Sequence, residues 1–220
     1  MDHIERRDRG LAYIADASAM EQQIACRKIL DRLNKADSYD FATIAEAAKE
    51  LLGRSDGAFI CPPFHCDYGK HIEVGKNFFA NYNCTILDVG RVVIGDNCQM
   101  APNVQIYTAG HPIHPASRNT AYEYGKDVII GDNVWLGGGC IINPGVRIGS
   151  NSIIGAGAVV TKDIPEWSIA VGNPARVIRT ITEADRRTLI GKEEIDDEAW
   201  ADMQRMWETS EDEIRFPTAP

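Results

Sequence analysis

Two histidines stand three residues apart in GHPIHP, positions 110–115, within the polar stretch 107–127. An imidazole titrates near neutrality, so a histidine held in place can take a proton from an alcohol. His111 is therefore a candidate general base; a loop histidine fixed by one hydrogen bond is the other reading. Such a base needs a partner that sets its tautomer. Glu123, in EYG of the same stretch, is the candidate, against a merely solvated carboxylate. His114 reads as a lining residue. Groups able to replace water around an alcohol recur upstream: Asp67 and Tyr68 in CDYG, Asp88 in LDVG. The same residue types also cap tight turns, so both readings stand for these three. Arg176 and Arg179 offer positive charge to an anionic ligand, or alternatively to surface ion pairs.

The bulk composition narrows the partners. A chain of 220 residues with a formal charge of -9 lacks the surplus of Lys and Arg that replaces counterions on nucleic acid. A small anionic ligand needs only a local cluster of positive charge. Six cysteines, at 26, 61, 66, 84, 98 and 140, form no CxxC pair. They read as buried thiols in a reducing, cytoplasmic protein rather than as disulfides or zinc ligands. Neither a secretory leader nor an apolar run of spanning length is visible, so no membrane partner is expected.

The elements that must position these groups show themselves as a repeat. Every sixth residue is aliphatic or Met in three blocks: Val74, Ala80, Ile86; Ile94, Met100, Ile106; and Ile130, Leu136, Ile142, Ile148, Ile154, Val160. Gly follows at 75, 95, 131, 137, 149 and 155, and Asn comes three later at 77, 97, 103, 133 and 151. A strand alternates every 2 residues and a helix every 3.6, so period six is neither. It describes a short flat strand and a tight turn, three of which make a triangular coil with one aliphatic per side pointing inward. Gly and Asn suit corners with left-handed backbone. Coils of this kind must stack, because none buries its aliphatics alone. A mainly β solenoid follows, and the period leaves its handedness open. The interruption at 107–127 reads as a loop projecting from a corner.

Three segments result. Residues 1–58 read as a helical cap, with apolar spacing over Ser18–Leu33 and an Ala-rich helix over Phe41–Leu52 that stops at Gly53. Residues 59–180 carry the repeat and its loop. Residues 181–220 read as a helical extension whose Trp200, Met203 and Trp207 form one stripe, with a frayed end after Ser210. That stripe is read either as a docking helix or as a solvated tail with a sticky patch.

Several strings together resemble the maltose and galactoside O-acetyltransferases of the hexapeptide-repeat superfamily: CDYG at 66–69, NFFANYNC at 77–84, IGDNCQMAPNVQIYT at 94–108 and GHPIHPASRN at 110–119. They continue with IGDNVWLGGGCIINPGVRIG at 130–149, GAGAVVTKDIP at 155–165 and GNPARVI at 172–178. The resemblance covers most of 59–180 and, more weakly, 1–58. It implies a left-handed parallel β-helix, acetyl-coenzyme A as cosubstrate with no metal, a sugar-like acceptor, and a homotrimer with sites between subunits. In that family the helical cap helps shape the acceptor pocket.

The same resemblance implies residue roles. His111 would be the base in a direct transfer without an acyl-enzyme, and Asn81 an acceptor contact, with Asp67, Tyr68 and Asp88 facing the same cleft. Asp16 corresponds to an acceptor-binding aspartate of the galactoside enzymes. Trp135 would pack along the pantetheine arm. Gly138 stands where the galactoside enzyme has a serine, which leaves backbone N–H groups to stabilise the oxyanion. Ala156, Thr161 and Lys162 would follow the arm toward phosphates met by Arg176 and Arg179. The last forty residues run past the typical member. Other readings are a hexapeptide acyltransferase with a non-sugar acceptor, a zinc hydratase on the same scaffold, which would draw ligands from His65, His71, His111 and His114 although their spacings do not match that pattern, and a non-catalytic scaffold.

Overall fold

The computed structural model of the chain describes residues 1–189 and 193–208. It divides into two compact units, 1–179 and 180–220.

The first unit is a β-helix with three parallel faces. The first face stacks Arg54–Asp56, Ile72–Lys76, Val92–Ile94, Val128–Ile130 and Arg147–Ile148. The second stacks Phe59–Ile60, Phe79–Ala80, Gln99–Met100, Trp135–Leu136, Ile153–Ile154 and Ser168–Val171, and Arg176–Thr180 is added at its end. The third stacks Phe64–Cys66, Cys84–Leu87, Gln105–Tyr107, Ile141–Ile142 and Val159–Val160. The period-six residues meet in register on each face. Val74, Ile94, Ile130 and Ile148 form one column. Ala80, Met100, Leu136 and Ile154 form the second, and Ile86, Ile106, Ile142 and Val160 the third. All twelve are at most 2% exposed. Each buried aliphatic contributes about 1.5–3 kcal/mol of transfer free energy, which is the drive that stacks the coils.

The corners explain the Gly and Asn pattern. Asn77, Asn97, Asn133 and Asn151 all have positive φ, between 54° and 61°. Their amides join in a ladder of side-chain hydrogen bonds, 2.8, 3.1 and 2.8 Å. A Cβ on Gly95 would lie 2.1 Å from an Asp132 carboxylate oxygen, so only glycine fits beneath the next coil.

Three helices precede the solenoid: α1 His3–Asp8, α2 Ala17–Lys35 and α3 Phe41–Leu51. Asp2, Asp16 and Asp40 cap them by accepting from backbone N–H groups of the first turn. Asp16, an acceptor ligand by resemblance, is thus occupied at the start of α2, bonding Ser18 and Ala19. The apolar stripes of α2 (Cys26, Leu30, Leu33) and α3 (Ala47, Ala48, Leu51) belong to the same core as the first coils. Cap and solenoid therefore form one packed body. A fourth helix, α4 Pro115–Arg118, lies in the projecting loop.

The second unit holds a 3-10 turn, Glu183–Arg187, and helix α5, Asp197–Glu208. Trp200 and Trp207 meet edge to face at 5.3 Å, with Arg187 over the first ring and Arg186 over the second. The end expected to fray after Ser210 lies outside the described residues.

Candidate functional site

The projecting loop leaves the edge where the third face turns toward the first. Cys66, Ile86 and Ile106 are register partners there, so Asp67, Asp88 and Thr108 follow them at the same edge in successive coils. Thr108 is fully buried and ties the base of the loop. Its hydroxyl donates to Leu87 O (2.6 Å) and accepts from Gly90 N–H (2.8 Å), while its carbonyl accepts from Lys126 N–H (2.8 Å). Above this base, strand Ala109–Gly110 pairs antiparallel with Tyr122–Gly125, which pairs in turn with Tyr13–Ile14 from the cap.

The register of this small sheet is informative. Ala109 faces Gly125 and Gly110 faces Tyr124. The pairing ends there, one residue before His111, while Glu123, the next residue of the partner strand, pairs with Tyr13. Residues directly opposite on neighbouring strands project to the same face, with Cβ atoms about 5 Å apart. Gly110 permits this pairing, since a Cβ there would come within 2.6 Å of the Tyr124 ring. His111 is exposed. His114 instead caps α4, its Nδ1 accepting from Ala116 N–H at 3.2 Å. Arg118 closes the loop tip by donating to the carbonyls of Pro112 and Ile113.

Behind the loop lies a buried polar cluster. The Tyr13 ring is completely enclosed, and its hydroxyl donates to Glu123 Oε1 at 2.5 Å. Burial, the Glu123 carboxylate and the neighbouring Tyr68 hydroxyl all push the Tyr13 phenol up, so it stays a donor. Tyr68 is 3% exposed; its hydroxyl accepts from Gln23 Nε2 (3.2 Å) and the Arg7 guanidinium lies 4.5 Å over its ring. Asp88 is wholly buried: Oδ1 accepts from the N–H groups of Asp67 and Tyr68, both at 2.9 Å. Burial pushes the Asp88 carboxyl up, and the backbone donors pull it back. Asp67 is half-buried, and its carboxyl is pushed up to about 6 by burial and by Asp88 and Glu123, against Arg27.

In the single chain Tyr68 is held in the cluster and lines a pocket with Arg7, Gln22 and His71, and Asp88 holds the 67–68 backbone. Asp67 alone of the three keeps an exposed part. Tyr13, which sequence reasoning missed, joins them.

Asn81, Gly138 and Ala156 lie elsewhere. Asn81 and Ala101 follow second-face strands, as do Gly137 and Gly155, each N–H bonding to the carbonyl of the ladder residue in the next coil. Asn81, Gly138 and Ala156 therefore line the edge between the second and third faces, with Gly157 N–H donating to Gly138 O. Trp135 projects from the second face, 52% exposed. Thr161 and Lys162 follow Val160, on the loop's own edge and exposed; Arg176 and Arg179 are exposed on the last strand. One chain thus sets the predicted residues on two different edges of the prism.

The thiols are not poised for nucleophilic attack. Cys66 meets Cys26, from α2, at 3.6 Å, and this contact together with burial pushes its thiol up. Burial pushes Cys84 up to about 11 and Cys140 to about 12. The histidines are dispersed: His71 Nδ1 sits 2.6 Å from Asp88 O, His114 caps α4, and His65 points outward. Among the described residues no three His, Cys, Asp or Glu converge as metal ligands, and no helix is long and apolar enough to cross a membrane.

Comparison with known proteins now adds the family. Residues 127–162 match the model of the bacterial transferase hexapeptide, six repeats. The chain is 41% identical to the galactoside O-acetyltransferase of Escherichia coli over 76% of its length and 82% of that protein. A maltose O-acetyltransferase structure from Clostridium difficile superposes with TM-score 0.82 at 47% identity, covering 83% of this chain and 99% of that one. A galactoside acetyltransferase solved in complex with coenzyme A gives 0.86 at 36% identity, over 90% and 100% of the two chains. The chain is an acetyl-coenzyme-A-dependent O-acetyltransferase and belongs to the maltose and galactoside O-acetyltransferase family of hexapeptide-repeat enzymes.

Proposed function

We propose that the protein acetylates a hydroxyl of a maltose-, glucose- or galactoside-like sugar, with His111 as general base. The observation that supports this reading is that His111 is exposed directly after strand Ala109–Gly110, whose partner strand Tyr122–Gly125 carries Glu123. Glu123 orients the imidazole. As the sugar oxygen bonds to the thioester carbonyl carbon, His111 takes its proton, and the departing thiolate recovers that proton from the imidazolium. Transfer is direct, in keeping with thiols that burial holds protonated.

Asp67, half-exposed beside the loop, is the acceptor contact on this edge, and the cap shapes the pocket through Tyr13–Ile14. Asn81 is the acceptor contact on the other edge. Trp135, Ala156, Thr161 and Lys162 guide the pantetheine arm, Arg176 and Arg179 meet the phosphates, and backbone N–H groups near Gly138 stabilise the oxyanion. Because these groups occupy two edges of one prism, the working site is formed by two copies in a homotrimer, the loop edge of one meeting the Asn81 edge of the next. The six free thiols suit a cytoplasmic enzyme.

A panel of mono- and disaccharides with acetyl-coenzyme A, read by thiol release and by an alkali-labile acetyl ester on the product, tests the acceptor class. Esterified sugar is expected. Thiol release with amine or antibiotic acceptors alone would overturn it.

A further inference from the structure

The cap supplies more than packing. Tyr13 is 110 residues from Glu123 in sequence, yet its hydroxyl donates to that carboxylate, and the two are backbone partners in the same small sheet. Every side of the ring is enclosed, by Tyr68 and Val89 with Ala109 packed against them. The phenol is thus held by three elements at once: the cap strand, the solenoid corner and the base of the loop. Gln23 of α2 bonds the Tyr68 hydroxyl, and Gln22 bonds Arg7, whose guanidinium covers the Tyr68 ring. A chain of polar contacts therefore runs from α2 through Tyr68 and Tyr13 to Glu123.

We infer that Tyr13 is a positioning residue, which fixes one carboxylate oxygen of Glu123 so that the other is presented to His111. The inference rests on His111 acting as the base. Its physical content is simple. A carboxylate on a half-buried hairpin strand still has several rotamers, and a base aligned by it is productive in only some of them. A buried donor to one carboxylate oxygen selects among these rotamers, because leaving a charged group's hydrogen bond unmade is costly. Tyr13 is completely enclosed, so loss of its hydroxyl should lower turnover and leave binding of acetyl-coenzyme A alone.

Tyr13→Phe keeps the ring and deletes the hydroxyl. Turnover, the KM for acetyl-coenzyme A and thermal midpoint are measured for Tyr13→Phe, Glu123→Ala, the double variant and His111→Ala. Tyr13→Phe is expected to lose about tenfold in kcat, with KM within about twofold, and to add no further loss in the Glu123→Ala background. The same loss in both backgrounds, or none in the wild-type background, would overturn the inference, since a purely structural ring contact ignores whether Glu123 is present. If His111→Ala is inactive while Tyr13→Phe equals wild type, only the Tyr13 inference fails. If His111→Ala keeps full turnover, the base assignment itself fails.

Discussion

Asp67 and Asp88 occupy the same edge one coil apart, and burial pushes both carboxyls up, but their other neighbours differ. Asp88 is surrounded by backbone donors, which is how a turn uses an aspartate. Asp67 has Asp88 and Glu123 for neighbours, and its carboxyl is pushed up to about 6 from an ordinary 3.8. Its folded pKa lies above the unfolded one, so the folded chain binds the extra proton between about pH 4 and 6, and stability falls as pH rises through that window. Asp67→Asn should therefore raise the thermal midpoint at pH 7.5, and the gain should shrink toward pH 4.5, where the wild-type carboxyl is already neutral. Activity should drop in the same variant if the carboxylate contacts acceptor. A stability gain that is the same at both pH values would show that Asp67 is not the strained group. The sequence named all these residues but could not rank them, because an aspartate at a coil corner reads equally well as a ligand or as a turn cap.

Among the elements, the corner at 67–71 and the three-stranded sheet set the geometry of the loop edge. Asp88 braces that corner by accepting from the backbone N–H groups of Asp67, Tyr68 and His71. Asp88→Ala is expected to lower stability by about 2–3 kcal/mol in urea unfolding, as befits loss of buried bonds to a charged acceptor. A raised acceptor KM at unchanged stability would instead return Asp88 to the binding surface. The solenoid was legible in the chain because one aliphatic every six residues has no helical or strand explanation, and each ladder position named from that spacing is buried. The helices were legible within a few residues: α2 begins one residue before the expected Ser18 and ends two after Leu33. The small sheet was not. Tyr13–Ile14 is two residues long between Gly10 and the Asp16 cap, and its partner strand lies inside the loop. No local pattern announces a pairing across that span.

On the scale of the whole molecule, the residues proposed for binding and catalysis lie on two edges of one solenoid. Asn81 follows a second-face strand and Asp67 a third-face strand. Counting sixes along the chain would have separated them, but whether separate edges meet depends on how copies assemble, which no repeat encodes. The proposed trimer of 24.3 kDa chains, with sites shared between copies, makes a sharp prediction for mixtures. His111→Ala and Asn81→Ala trimers should each be inactive, and co-refolding them should restore a substantial fraction of activity, because some interfaces then join two intact edges. No recovery in mixtures shown to exchange subunits would place both residues in one chain's site. The most direct test of the central claim remains the imidazole itself. In single-turnover acetylation of a sugar acceptor, His111→Ala should fall at least about a hundredfold while coenzyme A binds with unchanged affinity. Equal rates for variant and wild type would contradict the account.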